Sequence, residues 1–163
     1  LTDGSLSVAI NGLQAATTPH SFLGINPSGQ VSLIHTRGNP HAHIVLRGGA
    51  QGPNYDAESV AAAEGALTAI GATASVMVDC SHANSSKDHN RQTAVLEDIG
   101  QQIGAGNSAI SGVMVESNLN AGNQALGQNL AYGVSVTDAC VGWEQTEQML
   151  RGFYVAIENR FDS

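Results

Sequence analysis

The chain has 163 residues, 42% of them hydrophobic and 12% charged, with a formal net charge of −8 and only six lysines and arginines. This length and composition fit one globular domain and exclude a disordered chain. The negative charge excludes a broad basic face for nucleic acid or an anionic membrane, and no apolar stretch reaches the roughly 18 residues that a membrane span needs.

The first predicted element is a helix, whose apolar residues recur at helical spacing behind the capping candidates Thr2 and Asp3. A β-hairpin over about 20–36 follows it. Two apolar runs flank Asn26-Pro27-Ser28-Gly29, which has the residue types of a type I turn. Because the chain begins with Leu1 at the edge of this helix, we expect a fragment of a longer protein.

After the hairpin, short apolar strands alternate with helices. The strands are "HIVLRGG", "SVMVDCSH" and "AISGVMVES", and they are apolar on both faces, as in parallel sheets covered by helices. Asp56 is the predicted N-cap of the first helix between them. A polar loop from about 118 to 136 precedes the last helix, about 144–160, in which we expect Leu150, Phe153 and Ile157 to point inward.

Three strands therefore end in chemically active residues, Arg47, His82 and Glu116, which are 35 and 34 residues apart. One strand with its crossover helix takes at least ~30 residues. Parallel strands end at one edge of their sheet, where α/β proteins bind ligands, and Asp138 from the long loop could join them there.

This residue set suits a divalent metal beside an anion. Histidine, glutamate and aspartate together are ligands for Mn, Fe, Co or Zn. Arg47 could grip a phosphate or carboxylate, and the following Gly48-Gly49 would let a ligand approach the backbone. Each residue also has a structural alternative, as a hydrogen-bonded histidine, a helix-capping carboxylate or an ion-pair partner.

Other candidates are assigned structural roles. Cys80 would share a strand face with His82, but a small buried thiol is common in strands. His41 and His43 precede their strand, at the opposite edge. Trp143 is expected to pack. With two cysteines and no signal peptide, we expect reduced thiols and a cytoplasmic location.

Four stretches resemble the C-terminal half of class I 3-deoxy-D-arabino-heptulosonate-7-phosphate (DAHP) synthases. They are "HIVLRGGAQGPNYDAESV", "VMVDCSHANSSKDHNRQ", "GVMVESNLNAGNQ" and "YGVSVTDACVGWEQTEQML". The resemblance covers essentially the whole chain. Within the family, "FLGINPSGQV", "VDCSH" and "YGVSVTDAC" look most like the tyrosine-sensitive type.

The resemblance implies an α/β fold, the C-terminal half of a (β/α)₈ TIM barrel with an inserted β-hairpin at about 20–36. Residues 1–163 would then be a single-domain fragment with the last three barrel strands and their helices. The family's fourth metal ligand, a cysteine, and most of its basic pocket residues would precede Leu1. We therefore expect the N-terminal half of the same enzyme as a partner, and a homo-oligomer.

The activity that the resemblance implies is the metal-dependent, aldol-like condensation of phosphoenolpyruvate with erythrose 4-phosphate, the first step of the shikimate pathway. Arg47 would bind phosphoenolpyruvate, and His82 and Glu116 would bind the metal. Asp138 would bind the metal near the aldehyde substrate, and His82 could help to move a proton. The residues expected to hold the imidazole and its loop in place are Asp79, Ser81 and Asn84.

The inserted hairpin implies feedback inhibition by an aromatic amino acid, with tyrosine favoured. Phe22, Gly24 and Ile34 match positions around the effector pocket of regulated family members. Two other functions remain open. The chain could be a half-barrel that binds or scaffolds without catalysis, or part of the sibling enzyme 3-deoxy-octulosonate 8-phosphate synthase, which its motifs fit less well.

Overall fold

The computed structural model describes residues 4–160. The capping candidates Thr2 and Asp3 lie outside the described residues. Helix α1 (Leu6–Thr17) follows Ser5, whose backbone is extended, and it buries Ile10 and Leu13. Among residues 4–160, no helix has both the length and the hydropathy that crossing a membrane would require.

The predicted hairpin is present as β1 (Ser21–Ile25) and β2 (Val31–His35), which pair antiparallel. The side chain of Asn26 organises the turn, since it accepts hydrogen bonds from two backbone N–H groups in it. Gly29 has φ +77°, a conformation that glycine adopts without steric cost. That the hairpin is an insertion into a barrel stays a prediction.

A second, parallel sheet contains β3 (Ile44–Leu46), β4 (Val76–Asp79) and β5 (Ile110–Met114) in that order. Helix α2 (Ala57–Ala69) connects β3 to β4, and α3 (Gln92–Gly104) connects β4 to β5. The predicted βα alternation is therefore confirmed, and the fold is mixed α/β.

The parallel layer continues beyond β5. Ser117 and Val141 form an isolated parallel bridge. The Val141 N–H donates to the Glu116 carbonyl at 3.0 Å, and the Asn118 N–H donates to the Val141 carbonyl at 3.0 Å. This bridge brings the end of the long loop back beside β5, and with it Asp138.

The two crossover helices follow the sequence prediction closely. The Asp56 side chain accepts a hydrogen bond from the Ser59 N–H at 2.9 Å and so caps α2. The predicted inward faces of both helices are buried: Val60, Ala63 and Leu67 in α2, and Val95, Ile99 and Ile103 in α3. Five of these residues belong to the main core cluster, together with residues of the parallel sheet and α1, and Val95 belongs to a second cluster.

Helix α4 (Trp143–Ile157) corrects two expectations. Leu150 does not point inward but is 48% exposed, and Trp143 is 57% exposed. The helix has two apolar stripes, and spacings of seven and four residues place Trp143, Leu150 and Tyr154 on the outer one. The inner stripe contains Met149 and the partly buried Phe153, which pack against α3.

Candidate metal centre

Three of the four predicted site residues meet at the carboxyl edge of the parallel sheet. His82, Glu116 and Asp138 each offer one ligand atom, and these atoms all lie within 4.8 Å of one another. His82 comes three residues after the end of β4, and Glu116 two residues after β5. Asp138 reaches them from the long loop, and its side chain is 68% exposed.

The imidazole of His82 has a defined orientation. Its Nδ1 lies 2.8 Å from Oδ2 of Asp79 and 2.6 Å from Oγ of Ser81. Its Nε2 lies 3.6 Å from Oε1 of Glu116 and 3.6 Å from Oδ2 of Asp138. A carboxylate only accepts hydrogen bonds, so Asp79 favours a proton on Nδ1 and leaves the Nε2 lone pair facing the site.

The polar end of β4 builds this orientation locally. Oδ1 of Asp79 accepts hydrogen bonds from the backbone N–H of Ser81 at 2.9 Å and from its hydroxyl at 2.8 Å. Asp79 is only 5% exposed, and all of these partners lie within three residues of it. His82 has φ +54°, a left-handed conformation that turns the chain sharply out of the strand.

Asn84 joins the ends of two neighbouring strands. Its Nδ2 donates to the carbonyl of Leu46 at 3.1 Å and to that of Asp79 at 2.8 Å. Its Oδ1 accepts from the N–H of Asn54 at 2.8 Å. The adjoining Gly48 has φ +72°, and a Cβ there would lie 2.7 Å from the Cβ of Ala83. A glycine is therefore required where the two strand ends approach.

Glu116 is held through its backbone, and its carboxylate faces His82. The buried Gln92 side chain accepts from the Glu116 N–H at 2.8 Å and donates to its carbonyl at 3.1 Å. Burial raises the pKa of Glu116, and the nearby carboxylates of Asp138 and Asp79 act in the same direction, while His82 opposes them. A cation would relieve this crowding of negative charge. The nitrogen and oxygen donors thus fit a divalent metal.

Arg47 directly follows β3 at the same edge, but it lines a different cavity from the cluster of three. That cavity, of about 160 Å³, is also lined by Gly48, Asn54 and the start of α1. Among residues 4–160, no side chain makes an ion pair or hydrogen bond with the Arg47 guanidinium. The arginine therefore borders the cluster of three and is not part of it.

The three predicted effector residues lie together, away from this edge. Phe22 pairs with Ile34 across the hairpin. A Cβ added to Gly24 would lie 2.8 Å from a side-chain carbon of Ile34 and 3.5 Å from the ring of Phe22. The three residues thus share one face of the hairpin, and their role in binding an effector stays a prediction.

The two cysteines are both buried. Cys80 lies in the apolar cluster between α3 and α4, and burial raises its pKa to about 12. Cys80 is a core residue, as predicted. The prediction that Cys80 and His82 share one face of a strand does not apply, because β4 ends at Asp79.

Three residues of the site were missed by the sequence reasoning. Ser85, Lys87 and His89 line a cavity of about 150 Å³ together with His82, Glu116 and Asp138. The helical pattern of "KDHNRQTAVLEDIGQQI" predicts a helix that already begins at Lys87. Instead α3 begins at Gln92 after a 3₁₀ turn, and residues 83–88 form a loop that folds back over the site.

Comparison with known proteins gives consistent results. The sequence profile of the DAHP synthetase I family matches residues 2–151. The Tyr-sensitive phospho-2-dehydro-3-deoxyheptonate aldolase of Salmonella typhimurium is 53% identical over 92% of this chain and 43% of its own length. The Phe-sensitive enzyme of Escherichia coli is 49% identical over 98% of this chain and 46% of its own.

A solved structure agrees. The phospho-2-dehydro-3-deoxyheptonate aldolase from Francisella tularensis matches with a TM-score of 0.90 at 45% identity, over 96% of this chain and 46% of that one. The chain thus spans a little under half of the length of each of these three relatives.

Proposed function

This chain belongs to the DAHP synthetase I family, and we propose that it forms the C-terminal part of an enzyme that condenses phosphoenolpyruvate with erythrose 4-phosphate. The observation that carries the proposal is the convergence of His82, Glu116 and Asp138, whose ligand atoms lie within 4.8 Å of one another. All three relatives described above are named phospho-2-dehydro-3-deoxyheptonate aldolase, which favours this reaction over the sibling octulosonate synthase.

In this proposal His82, Glu116 and Asp138 hold a divalent Mn, Fe, Co or Zn ion. The ion, when bound, supplies Lewis-acid polarisation of the aldehyde carbonyl. His82 contributes its Nε2, and the hydrogen bond between its Nδ1 and Asp79 keeps the imidazole in the required tautomer. The exposed Asp138 also lines the cavity, where a substrate could reach it.

Arg47 holds an anionic group of phosphoenolpyruvate from the adjoining cavity. Its guanidinium, without a partner among residues 4–160, remains available for a planar, bidentate contact with phosphate or carboxylate. Asn84 fixes the end of β3 to the end of β4, which sets the distance between the arginine and His82.

The partner is the N-terminal half of the same enzyme, and the fold is the C-terminal half of a (β/α)₈ barrel. Two features support this. The matched relatives are about twice as long as this chain. The outer stripe of α4 is apolar and exposed, with Trp143, Leu150 and Tyr154 at 57%, 48% and 64%. In a closed barrel the helices form an outer ring, and among residues 4–160 the long helix that packs extensively against α4 is α3.

We also propose that the hairpin contributes to binding a feedback effector, with tyrosine favoured over phenylalanine. The Tyr-sensitive relative is 53% identical and the Phe-sensitive one 49%. Phe22, Gly24 and Ile34 are the candidate contact residues. The alternative is a half-barrel that binds without catalysis. One observation favours it: the chain covers less than half of the length of each relative.

The test is complementation. The chain is mixed with a separately expressed N-terminal half of the Salmonella typhimurium relative, and loss of phosphoenolpyruvate is followed with erythrose 4-phosphate and Mn²⁺. We expect turnover that a chelator abolishes, that His82→Ala eliminates and that His43→Ala leaves unchanged. If the two halves are folded and associated but inactive, the non-catalytic function becomes the better one.

A further inference from the structure

Lys87 is the only lysine of the chain, and it lines the cavity of the candidate metal centre. Lysines on protein surfaces usually extend into solvent or pair with a carboxylate. Lys87 is exposed and lines the cavity that also contains the carboxylates of Glu116 and Asp138. All ion pairs of these two carboxylates among residues 4–160 are with His82.

The backbone holds Lys87 in this position. Its N–H donates to the carbonyl of His82 at 2.7 Å. Both Ser86 and Lys87 have positive φ, +55° and +62°, which is uncommon outside glycine. The preceding Ser85 is 1% exposed, and its hydroxyl donates to the same His82 carbonyl at 3.2 Å. The lysine is therefore fixed to the loop that also positions the metal-binding histidine.

The charges in the cavity indicate what Lys87 could bind. A divalent cation would balance the two carboxylates of Glu116 and Asp138. The remaining carboxylate, Asp79, is hydrogen-bonded to Ser81 and His82 and makes no ion pair with Lys87 among the described residues, so the lysine could still contact an anion directly. If the lysine served only to neutralise the carboxylates, it would form an ion pair with one of them within 4 Å, and no such pair occurs among the described residues.

We propose that Lys87 binds a phosphate or carboxylate group of a substrate directly beside the metal. This inference rests on the proposed function, since it takes the substrates from it. Arg47 lines a separate cavity, so two cavities at this edge each have a basic residue for which no ion pair occurs among residues 4–160. The two cations can hold two anionic groups, with the reacting atoms between them.

The test compares Lys87→Met, Lys87→Arg and a distant control, Arg151→Met. Methionine keeps the side-chain length and the Cβ, so the backbone at positive φ is unchanged by that substitution. Arg151 lies on α4 in an ion pair with Glu147, and its loss changes the net charge equally. Mn²⁺ binding to each chain is measured first, by electron paramagnetic resonance. Phosphoenolpyruvate and erythrose 4-phosphate are then titrated separately into the Mn²⁺-loaded chains.

We expect Mn²⁺ to bind the Lys87→Met chain at least as tightly as the unchanged chain, because a nearby positive charge has been removed. The Kd of one of the two phosphate compounds should rise about tenfold or more, as expected for the loss of a charge-assisted contact. Lys87→Arg should restore most of the affinity, and Arg151→Met should have no effect. The compound whose binding is lost identifies the anionic group.

Three results would overturn the inference, and the last of them is distinguishable from the first two. In the first, Mn²⁺ binds and the Lys87→Met chain binds both compounds as tightly as the unchanged chain does. In the second, Mn²⁺ binds but the unchanged chain binds neither compound. In both cases the lysine has no such role, and the metal site stands. If Mn²⁺ does not bind the unchanged chain, the proposed metal site fails and the anion site fails with it.

Discussion

The carboxyl edge of the parallel sheet and the β1–β2 hairpin depart from the usual pattern of burial in opposite ways. At the sheet edge, polar residues are buried: Asp79 is 5% exposed and Asn84 is 1% exposed. In the hairpin, apolar residues are exposed: Leu23 and Val31 are each 76% exposed. Both regions lie within one chain of ordinary composition, so the residue type alone does not decide whether a side chain is buried.

Hydrogen bonding explains the difference. Every buried polar side chain of the sheet edge named here has partners, which offset the cost of removing it from water. The hairpin residues have little apolar surface to pack against, because a two-stranded sheet has no core of its own. The sheet edge is therefore expected to be sensitive to substitution, and the hairpin tolerant.

The largest effect is expected at His82, where the polar network ends in the candidate metal ligands. Replacing a supporting residue of a metal site typically costs 10- to 100-fold in affinity, so loss of the ligand in His82→Ala should weaken Mn²⁺ binding by more than about 100-fold. Isothermal titration calorimetry of the chain would measure this. The control is His43→Ala, because His43 is an exposed histidine before β3. Equal Mn²⁺ affinities of the two variants would contradict the proposed metal site.

Asn84→Ala tests the buried network through stability. It removes three hydrogen bonds and leaves two carbonyls and one N–H without partners. Since each unsatisfied buried group costs about 1–3 kcal/mol, we expect the free energy of unfolding to fall by about 3 kcal/mol or more. Urea denaturation would measure it against Asn129→Ala, whose exposed side chain has no described hydrogen bond. A loss below about 1 kcal/mol would mean that water replaces the amide.

Asp79→Asn separates orientation from ligation. The amide can still accept from Ser81, but it no longer enforces a proton on Nδ1 of His82. We expect the Mn²⁺ affinity to fall about 10- to 100-fold while the ligands remain. The readout is the same titration. An affinity equal to that of the unchanged chain would show that the tautomer is fixed by other groups.

Asp56 is hydrogen-bonded, as the polar residues of the sheet edge are, but it is exposed. The Ser59 N–H lowers the pKa of its carboxyl below the usual 3.8, so the charged cap stabilises the fold above that pH and loses its effect as the pH falls through the folded pKa. Asp56→Ala should cost about 1 kcal/mol at pH 7. Urea denaturation at pH 7 and pH 3 should give a smaller difference at the lower pH, and a constant difference would contradict the charge effect.

The smallest effect is expected in the hairpin. Leu23→Ala should change the free energy of unfolding by no more than about 0.5 kcal/mol, as for most surface substitutions. The matched change Leu67→Ala, at a side chain that is 0% exposed, should cost about 2–5 kcal/mol. Thermal and urea denaturation would compare the two. A large loss for Leu23→Ala would indicate that the hairpin packs on the rest of the chain.

Much of the fold and part of the site follow from local sequence patterns. The cap at Asp56, the hairpin turn at Asn26 and the inward faces of α2 and α3 depend on neighbours within a few residues, so periodicity and capping rules predict them. The meeting of His82 and Glu116 follows from parallel topology. Leu150 was assigned wrongly because α4 has two apolar stripes, and the sequence does not indicate which one meets α3.

By itself, the sequence determined which residues could ligate a metal and placed them at the ends of successive parallel strands, because strand direction follows from the βα alternation. Only the tertiary structure decided that Asp138 completes the cluster, that Arg47 lines a separate cavity and that Lys87 turns back over the site. Those positions depend on two loops, and the conformation of a loop is set by contacts between residues far apart in the chain, such as the bridge between Ser117 and Val141.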